Sequence, residues 1–192
     1  RRITFGQQWH SDLSYTLRPS KGSVLHCLAL PPVGGDTLFS NMHLAYDELS
    51  PTMKRIVDPL ECVHDLTHGR SHRGTTRAQH EATLARNPPV IQPVVRKHPE
   101  TGRKALFVSE WMCTGIVGMS DEEGRGIIDF LCRHSTREEF MFRQRWQVGD
   151  VLMWDNRATV HMALADYPRD AHRELLRTSI TGSPSGRIVD SS

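Results

Sequence analysis

The chain has 192 residues, 38% hydrophobic and 24% charged, a balance that excludes both a disordered chain and a span of the roughly 20 apolar residues a bilayer requires. Lys and Arg number 24 against 22 Asp and Glu, a net charge of +2, so nothing electrostatic calls for nucleic acid or a membrane surface as partner. With no apolar signal-peptide core in the first ten residues, the expectation is a soluble, cytoplasmic protein forming one domain over residues 1–192.

In chain order, residues 24–30 read as a mostly buried strand stopped by Pro31-Pro32 and Gly34-Gly35. Residues 41–58 read as two helical pieces, because Ser50-Pro51 is an N-cap followed by proline at the first helical position. A short strand fits residues 60–64. From Leu66 to about Arg86 the chain is polar and rich in His, Arg and Thr, which reads as a mobile loop or an anion-steering lid. Residues 90–95 and 105–108 then form strands flanking the turn signal Pro99-Glu100-Thr101-Gly102. Ser120 and Glu123 make a capping box ahead of Ile127, Ile128, Leu131 and Cys132, which predicts a helix. Strands follow at 140–146, 151–154, around His161 and at 175–181, with Gly149-Asp150 as a hairpin-like turn. Strands at both ends with helices between them favour a β-sandwich or barrel over a doubly wound sheet.

Four widely spaced cysteines (Cys27, Cys62, Cys113, Cys132) with no CxxC pair read as reduced core residues. Eleven histidines are the unusual count, and a metal site here would be built from imidazole and carboxylate. In an extended segment His10 and Asp12 lie about 7 Å apart on one face, although an HxD pattern by itself is common by chance. His161 follows an apolar strand and a polar turn, Asp155-Asn156, that would aim it. Together the three would form the two-His, one-carboxylate set that leaves adjacent iron positions open. On a strand, Arg173, Leu175 and Arg177 share a face, and paired guanidinium groups suit carboxylates and sulfonates; a solvated basic edge strand is the plainer alternative. His26 reads as a core residue, His98 as a local backbone partner, and His64, His68 and His72 as a polar loop face rather than a metal patch.

The segments WHSDLSY, GGDTLFSNMHLAYDELSP, NPPVIQPVVRKHPETGRKALFV and WQVGDVLMWDNRATVH…ADYPRDAHRELLRTSI resemble the taurine dioxygenase family of Fe(II)/2-oxoglutarate-dependent dioxygenases. That family includes phenoxyacetate-herbicide and alkylsulfate dioxygenases. The resemblance implies a mainly β fold with inserted helices, a double-stranded β-helix (jelly roll, cupin-like). It implies His10, Asp12 and His161 as iron ligands, Thr37 and Arg173 on the distal carboxylate of 2-oxoglutarate, and Arg177 on the anionic group of the substrate. Leu13 and Tyr15 fall at pocket-lining positions. Fe(II), 2-oxoglutarate and O2 would together hydroxylate a C–H bond of a small anionic organic molecule, with release of succinate and CO2. Asp12 itself points to hydroxylation, because related halogenases carry a small residue there. Taurine-oxidising members have an asparagine four residues before the first iron histidine, where this chain has Gly6. That departure points to another sulfonate, a sulfate ester or an aryloxy-carboxylate. Nine residues precede His10, so the family's N-terminal segment, one wall of the substrate pocket, is expected to be lacking. A related hydroxylase of amino-acid-like carboxylates and an inactive jelly-roll binding protein are the alternatives. Family members commonly form dimers or tetramers, so a homo-oligomer is compatible with the resemblance.

Overall fold

The computed structural model describes residues 6–68 and 76–189. Two three-stranded antiparallel sheets frame the site. The first runs β11 (Glu174–Thr181), β1 (Ser20–Ala29), β9 (Val151–Asp155); the second runs β10 (Thr159–Ala163), β2 (Thr37–Asn41), β8 (Met141–Gln144). Their inner faces meet where Phe39 of β2 packs edge-on against Trp154 of β9, with ring centroids 5.3 Å apart. A four-stranded sheet, β12 (Arg187–Ile188), β4 (Val90–Pro93), β3 (Glu61–His64), β7 (Cys113–Ile116), and a β5 (Val95–Lys97)–β6 (Lys104–Leu106) hairpin complete the strands.

The helices start where the sequence caps them. Asn41 accepts from the amides of His43 and Leu44 to open α1 (Met42–Asp47), and Ser50 with Pro51 opens α2 (Pro51–Val57). The Ser120–Glu123 capping box opens α4 (Asp121–Ser135), whose buried Gly124, Ile128, Leu131 and Ser135 recur every three or four residues. Ile128 and Leu131 are fully buried, each stabilising the fold by about 1.5–3 kcal/mol. They join Met42, Ala45, Leu106, Ile116 and Val160 in a core between the helices and the sheets. Gly124 lets α4 approach β7, since a Cβ there would sit 3.0 Å from the Ile116 amide nitrogen.

Several expectations change in the structure. Strand β1 alternates instead of being buried throughout: Ser23 and Cys27 face inward, whereas His26 is exposed, not a core residue. The outer face of that sheet is itself apolar, with Val151, Met153 and Leu176 at least 60% exposed, which hid the period-2 pattern in the sequence. The polar 66–86 stretch is not all loop. Thr76 and Gln79 form a capping box and α3 (Arg77–Arg86) follows, with no buried residue; Leu84 is its one large apolar side chain, so the helix lacks the apolar stripe by which helices are recognised. Residues 69–75, which include His72, lie outside the described residues. His64 is a buried strand residue, not part of a polar loop face. Gly149-Asp150 does not close a hairpin: β8 pairs with β2 and β9 with β1, so the turn carries the chain between sheets. Strands β2, β7 and β12 had no sequence signal, being short and carrying Asn, Gly or Arg. Among the described residues no helix is long and apolar enough to cross a membrane.

Candidate metal and co-substrate site

His10 and His161 are cross-strand neighbours. The His10 amide donates to the His161 carbonyl (3.1 Å) and the His161 amide donates to the His10 carbonyl (2.8 Å), adding one isolated antiparallel rung on the edge of β10. The chain is extended only as far as this rung; at Asp12 it enters a turn. Asn156 holds that turn. Its carbonyl accepts from the Ser11 hydroxyl (2.7 Å), and its side-chain Oδ1 accepts from the Asp12 amide (3.2 Å) and from Trp154 Nε1 (2.9 Å). Its Nδ2 donates to Ser23 Oγ (2.9 Å), and Ser23 Oγ donates to Asp12 Oδ2 (2.7 Å). Asp12 Oδ1 is thereby turned toward the two imidazoles, 3.8 Å from His10 Nε2 and 3.9 Å from His161 Nε2.

All three residues are buried. Burial lowers the His10 imidazole below its ordinary pKa. It lowers His161 as well, and the neighbouring His10 adds to that shift. Burial would raise the Asp12 carboxyl, but His161, Ser23, Arg177 and His10 outweigh it and the net shift is downward. Near neutral pH the cluster therefore presents two neutral imidazoles and one carboxylate, the protonation state in which each is a metal ligand. His10 Nδ1 pairs with the Gln8 carbonyl (2.7 Å), leaving Nε2 as the ligating nitrogen. Phe39 stacks on His161 at 5.8 Å and Trp154 lies against it at 4.8 Å. The ligand atoms all fall within 4.8 Å of one another. Metal bonds of about 2.0–2.2 Å on each side can span the 3.8–3.9 Å gaps, which no hydrogen bond closes. The residues fit a ferrous ion.

These three open into a cavity of about 670 Å³ lined also by Leu13, Tyr15, Thr37, Trp111, Arg173 and Arg177. Thr37 Oγ1 accepts from Trp146 Nε1 (3.0 Å), which leaves its O–H free to donate. Arg173 is held by its Nε bond to the Gly35 carbonyl (2.8 Å). Gly35 has φ +81°, and a Cβ there would come 3.1 Å from Arg173 Cδ and Nε. Arg177 Nη1 bonds Asp12 Oδ1 at 2.9 Å. The shared face expected for Arg173 and Arg177 is thus the wall of one cavity. Leu13 lies at its mouth with φ +56°, a left-handed conformation costing a branched residue about 1–2 kcal/mol.

Tyr15 and Trp111 line the cavity, whereas Trp9 packs on the core and Phe107 is buried. Gly6 also lines it, with φ +84°, and a Cβ there would sit 3.2 Å from His10 Cε1. A larger side chain at this position would crowd the first histidine. His98 accepts from the Thr101 amide, as its turn position suggested, and also bonds Asp155 (3.0 Å). Sequence reasoning missed Ser23 and the grip of Asn156 on Asp12. The one available signal for Ser23 was a small polar residue in phase with buried Cys27 on β1.

Two histidines and a carboxylate in one mouth of facing antiparallel sheets, beside two arginines, are a ligand set able to hold a single metal ion. The family model for taurine catabolism dioxygenase TauD, TfdA family, matches residues 2–179, and the chain belongs to this family. It is 38% identical over 186 residues to an alpha-ketoglutarate-dependent 2,4-dichlorophenoxyacetate dioxygenase of Burkholderia sp. (strain RASC), covering 94% of this chain and 62% of that enzyme. It is 33% identical over 180 residues to an alkylsulfatase of Acinetobacter baylyi (strain ATCC 33305 / BD413 / ADP1), covering 91% and 56%. The crystal structure of AAD-2 in complex with Mn(II) and N-oxalylglycine superposes with a TM-score of 0.85 at 35% identity, covering 94% of this chain and 75% of that one. The chain thus spans about three fifths of the length of these curated relatives.

Proposed function

We propose that residues 1–192 form one double-stranded β-helix domain of an Fe(II)- and 2-oxoglutarate-dependent dioxygenase acting on a small anionic organic substrate. The substrate is a sulfonate, a sulfate ester or an aryloxy-carboxylate. The observation that carries this reading is a single cavity in which His10, Asp12 and His161 stand beside Thr37, Arg173 and Arg177. When bound, iron supplies O2 activation and 2-oxoglutarate the two electrons: substrate, O2 and 2-oxoglutarate become hydroxylated substrate, succinate and CO2.

The chain's own residues then have separable tasks. Ser23 occupies Asp12 Oδ2, so a single carboxylate oxygen faces the ion. Asn156 keeps that carboxylate from rotating by holding the Asp12 amide and Ser23 together. Arg173, set by the Gly35 carbonyl, and the free Thr37 O–H take the distal carboxylate of 2-oxoglutarate. Arg177 is half-exposed and pairs with Asp12. With a cation held at the triad, Arg177 would be released from Asp12 to meet the anionic group of the substrate. Leu13, Tyr15 and Trp111 supply apolar walls that orient the reacting C–H bond.

Succinate release measured with Fe(II) and 2-oxoglutarate across a sulfonate, a sulfate ester and an aryloxyacetate tests this. Substrate-dependent succinate with at least one of the three is expected. Turnover with carboxylated amino acids alone would refute the substrate class, and a folded protein that binds Fe(II) and 2-oxoglutarate without any turnover would refute the activity.

A further inference from the structure

A second group of metal-ligating side chains lies outside the cavity. Cys62 and His64, two apart on β3, point inward on the same face, and Cys113 of β7 pairs with His64 across the strands. All three are essentially inaccessible, at 0%, 1% and 0% exposed. Their ligand atoms fall within 4.8 Å of one another, and His64 Nε2 stands 3.6 Å from Cys113 Sγ.

We propose that Cys62, His64 and Cys113 form a second metal site, for a thiophilic d10 cation, Zn2+ or Cu(I), distinct from the iron centre. Bonds of about 2.3 Å to sulfur and 2.0–2.1 Å to nitrogen span a 3.6 Å separation of the donors. Two sulfurs and an imidazole, with no carboxylate, select soft ions and reject Mg2+, Ca2+ and Mn2+. In a buried site two thiolates and Zn2+ leave no net charge. Cu(I) is favoured instead by its tolerance of three ligands.

The surrounding contacts are those of an oriented ligand set. His64 Nδ1 is engaged by Ser14 Oγ at 3.1 Å, which directs Nε2 at the sulfurs. The Ser109 amide donates to Cys113 Sγ at 3.3 Å, while burial pushes the Cys113 thiol up, so a cation would bind there with release of the thiol proton. The Phe107 ring stacks on His64 at 5.3 Å with planes 19° apart, fixing the imidazole. The plain alternative is that two cysteines and a histidine simply fill core volume. That alternative accounts for the 3.6 Å hydrogen bond between Cys113 Sγ and His64 Nε2, but not for the convergence of all three donor atoms within 4.8 Å. Ser14 also belongs to the turn that carries Asp12, Leu13 and Tyr15, so a bound cation would brace the rim of the dioxygenase cavity through His64. The spacing concealed the site, because Cys113 is far in sequence from Cys62 and His64.

The test uses reduced, metal-free protein under nitrogen, titrated in separate arms with Co2+, the spectroscopic stand-in for Zn2+, and with Cu(I) from a competing chelator. The Asp12→Ala variant silences the iron centre in a parallel series. One equivalent should bind with thiolate-to-metal charge transfer in the near ultraviolet, in wild type and in Asp12→Ala alike. The band should vanish in Cys62→Ser and Cys113→Ser and weaken at least tenfold in affinity in His64→Gln. A band with Co2+ alone identifies zinc, and one with Cu(I) alone identifies copper. No charge transfer with either ion, or a band unmoved by the cysteine variants, would overturn the proposal. If those variants fail to fold, X-ray absorption of loaded Asp12→Ala decides: sulfur scatterers support the site, and oxygen and nitrogen alone refute it.

Discussion

Removing the Asn156 side chain is expected to damage both the fold and the metal centre, by separable amounts. Asn156 is 1% exposed and its amide makes three hydrogen bonds. Asn156→Ala strands two buried donors, the Asp12 amide and Trp154 Nε1, whereas Ser23 Oγ keeps its bond to Asp12 Oδ2. Each stranded buried donor costs about 1–3 kcal/mol, so the expected loss is about 2–6 kcal/mol. Most domains are stable by about 5–15 kcal/mol, so the variant should stay folded for a loss toward the lower end of the expected range. Urea unfolding at constant slope reads the stability change. A Mn2+ titration followed by electron paramagnetic resonance reads the second effect, since losing a ligand's outer partners lowers metal affinity about 10–100-fold. Ser23→Ala should weaken metal binding comparably while costing less stability, because it removes one hydroxyl and not the link between Asp12 and Trp154. Asn156→Ala within about 1 kcal/mol of wild type, with unchanged Mn2+ affinity, would refute the reasoning.

Gly35→Ala forces a Cβ against Arg173 at a positive φ; the KM for 2-oxoglutarate should rise on the order of tenfold, and an unchanged KM would show that Arg173 does not hold it. Arg177→Met should raise the KM for the anionic substrate on the order of tenfold or more, while divalent-ion affinity holds or tightens because a cation leaves the Asp12 carboxylate. Weaker metal binding measured by the same titration would contradict this. Burial raises the Asp155 carboxyl, but hydrogen bonds from Arg157 and His98 outweigh it and hold it well below the ordinary value. A depressed folded-state pKa gives stability that is present above the unfolded value of about 4 and lost as pH falls below it. Asp155→Asn should thus flatten acid destabilisation below about pH 4, read by thermal melts from pH 7 to pH 2; parallel melting curves for both proteins would remove Asp155 from the account.

The sequence by itself determined the elements whose signals are local. Ser50-Pro51 and the Ser120–Glu123 box start helices through hydrogen bonds made within three residues, and both helices begin there. Its residue pattern offered His10, Asp12, His161, Arg173 and Arg177 as candidates, and the family resemblance added Thr37; the fold gathers all six around one cavity. Tertiary structure decided what depends on partners distant along the chain. Whether β1 is buried turned on which sheet face has another sheet against it, and His26 lies on the uncovered one. The Gly149-Asp150 turn links two sheets because β9 pairs with β1 and β8 with β2, partners more than 100 residues away along the chain. Ser23 and Asn156 reach Asp12 only across strands, and Cys113 meets Cys62 and His64 only through β3–β7 pairing. Capping is encoded within a turn of chain, but the orientation of a buried carboxylate is fixed by whatever the closed fold brings to its second oxygen.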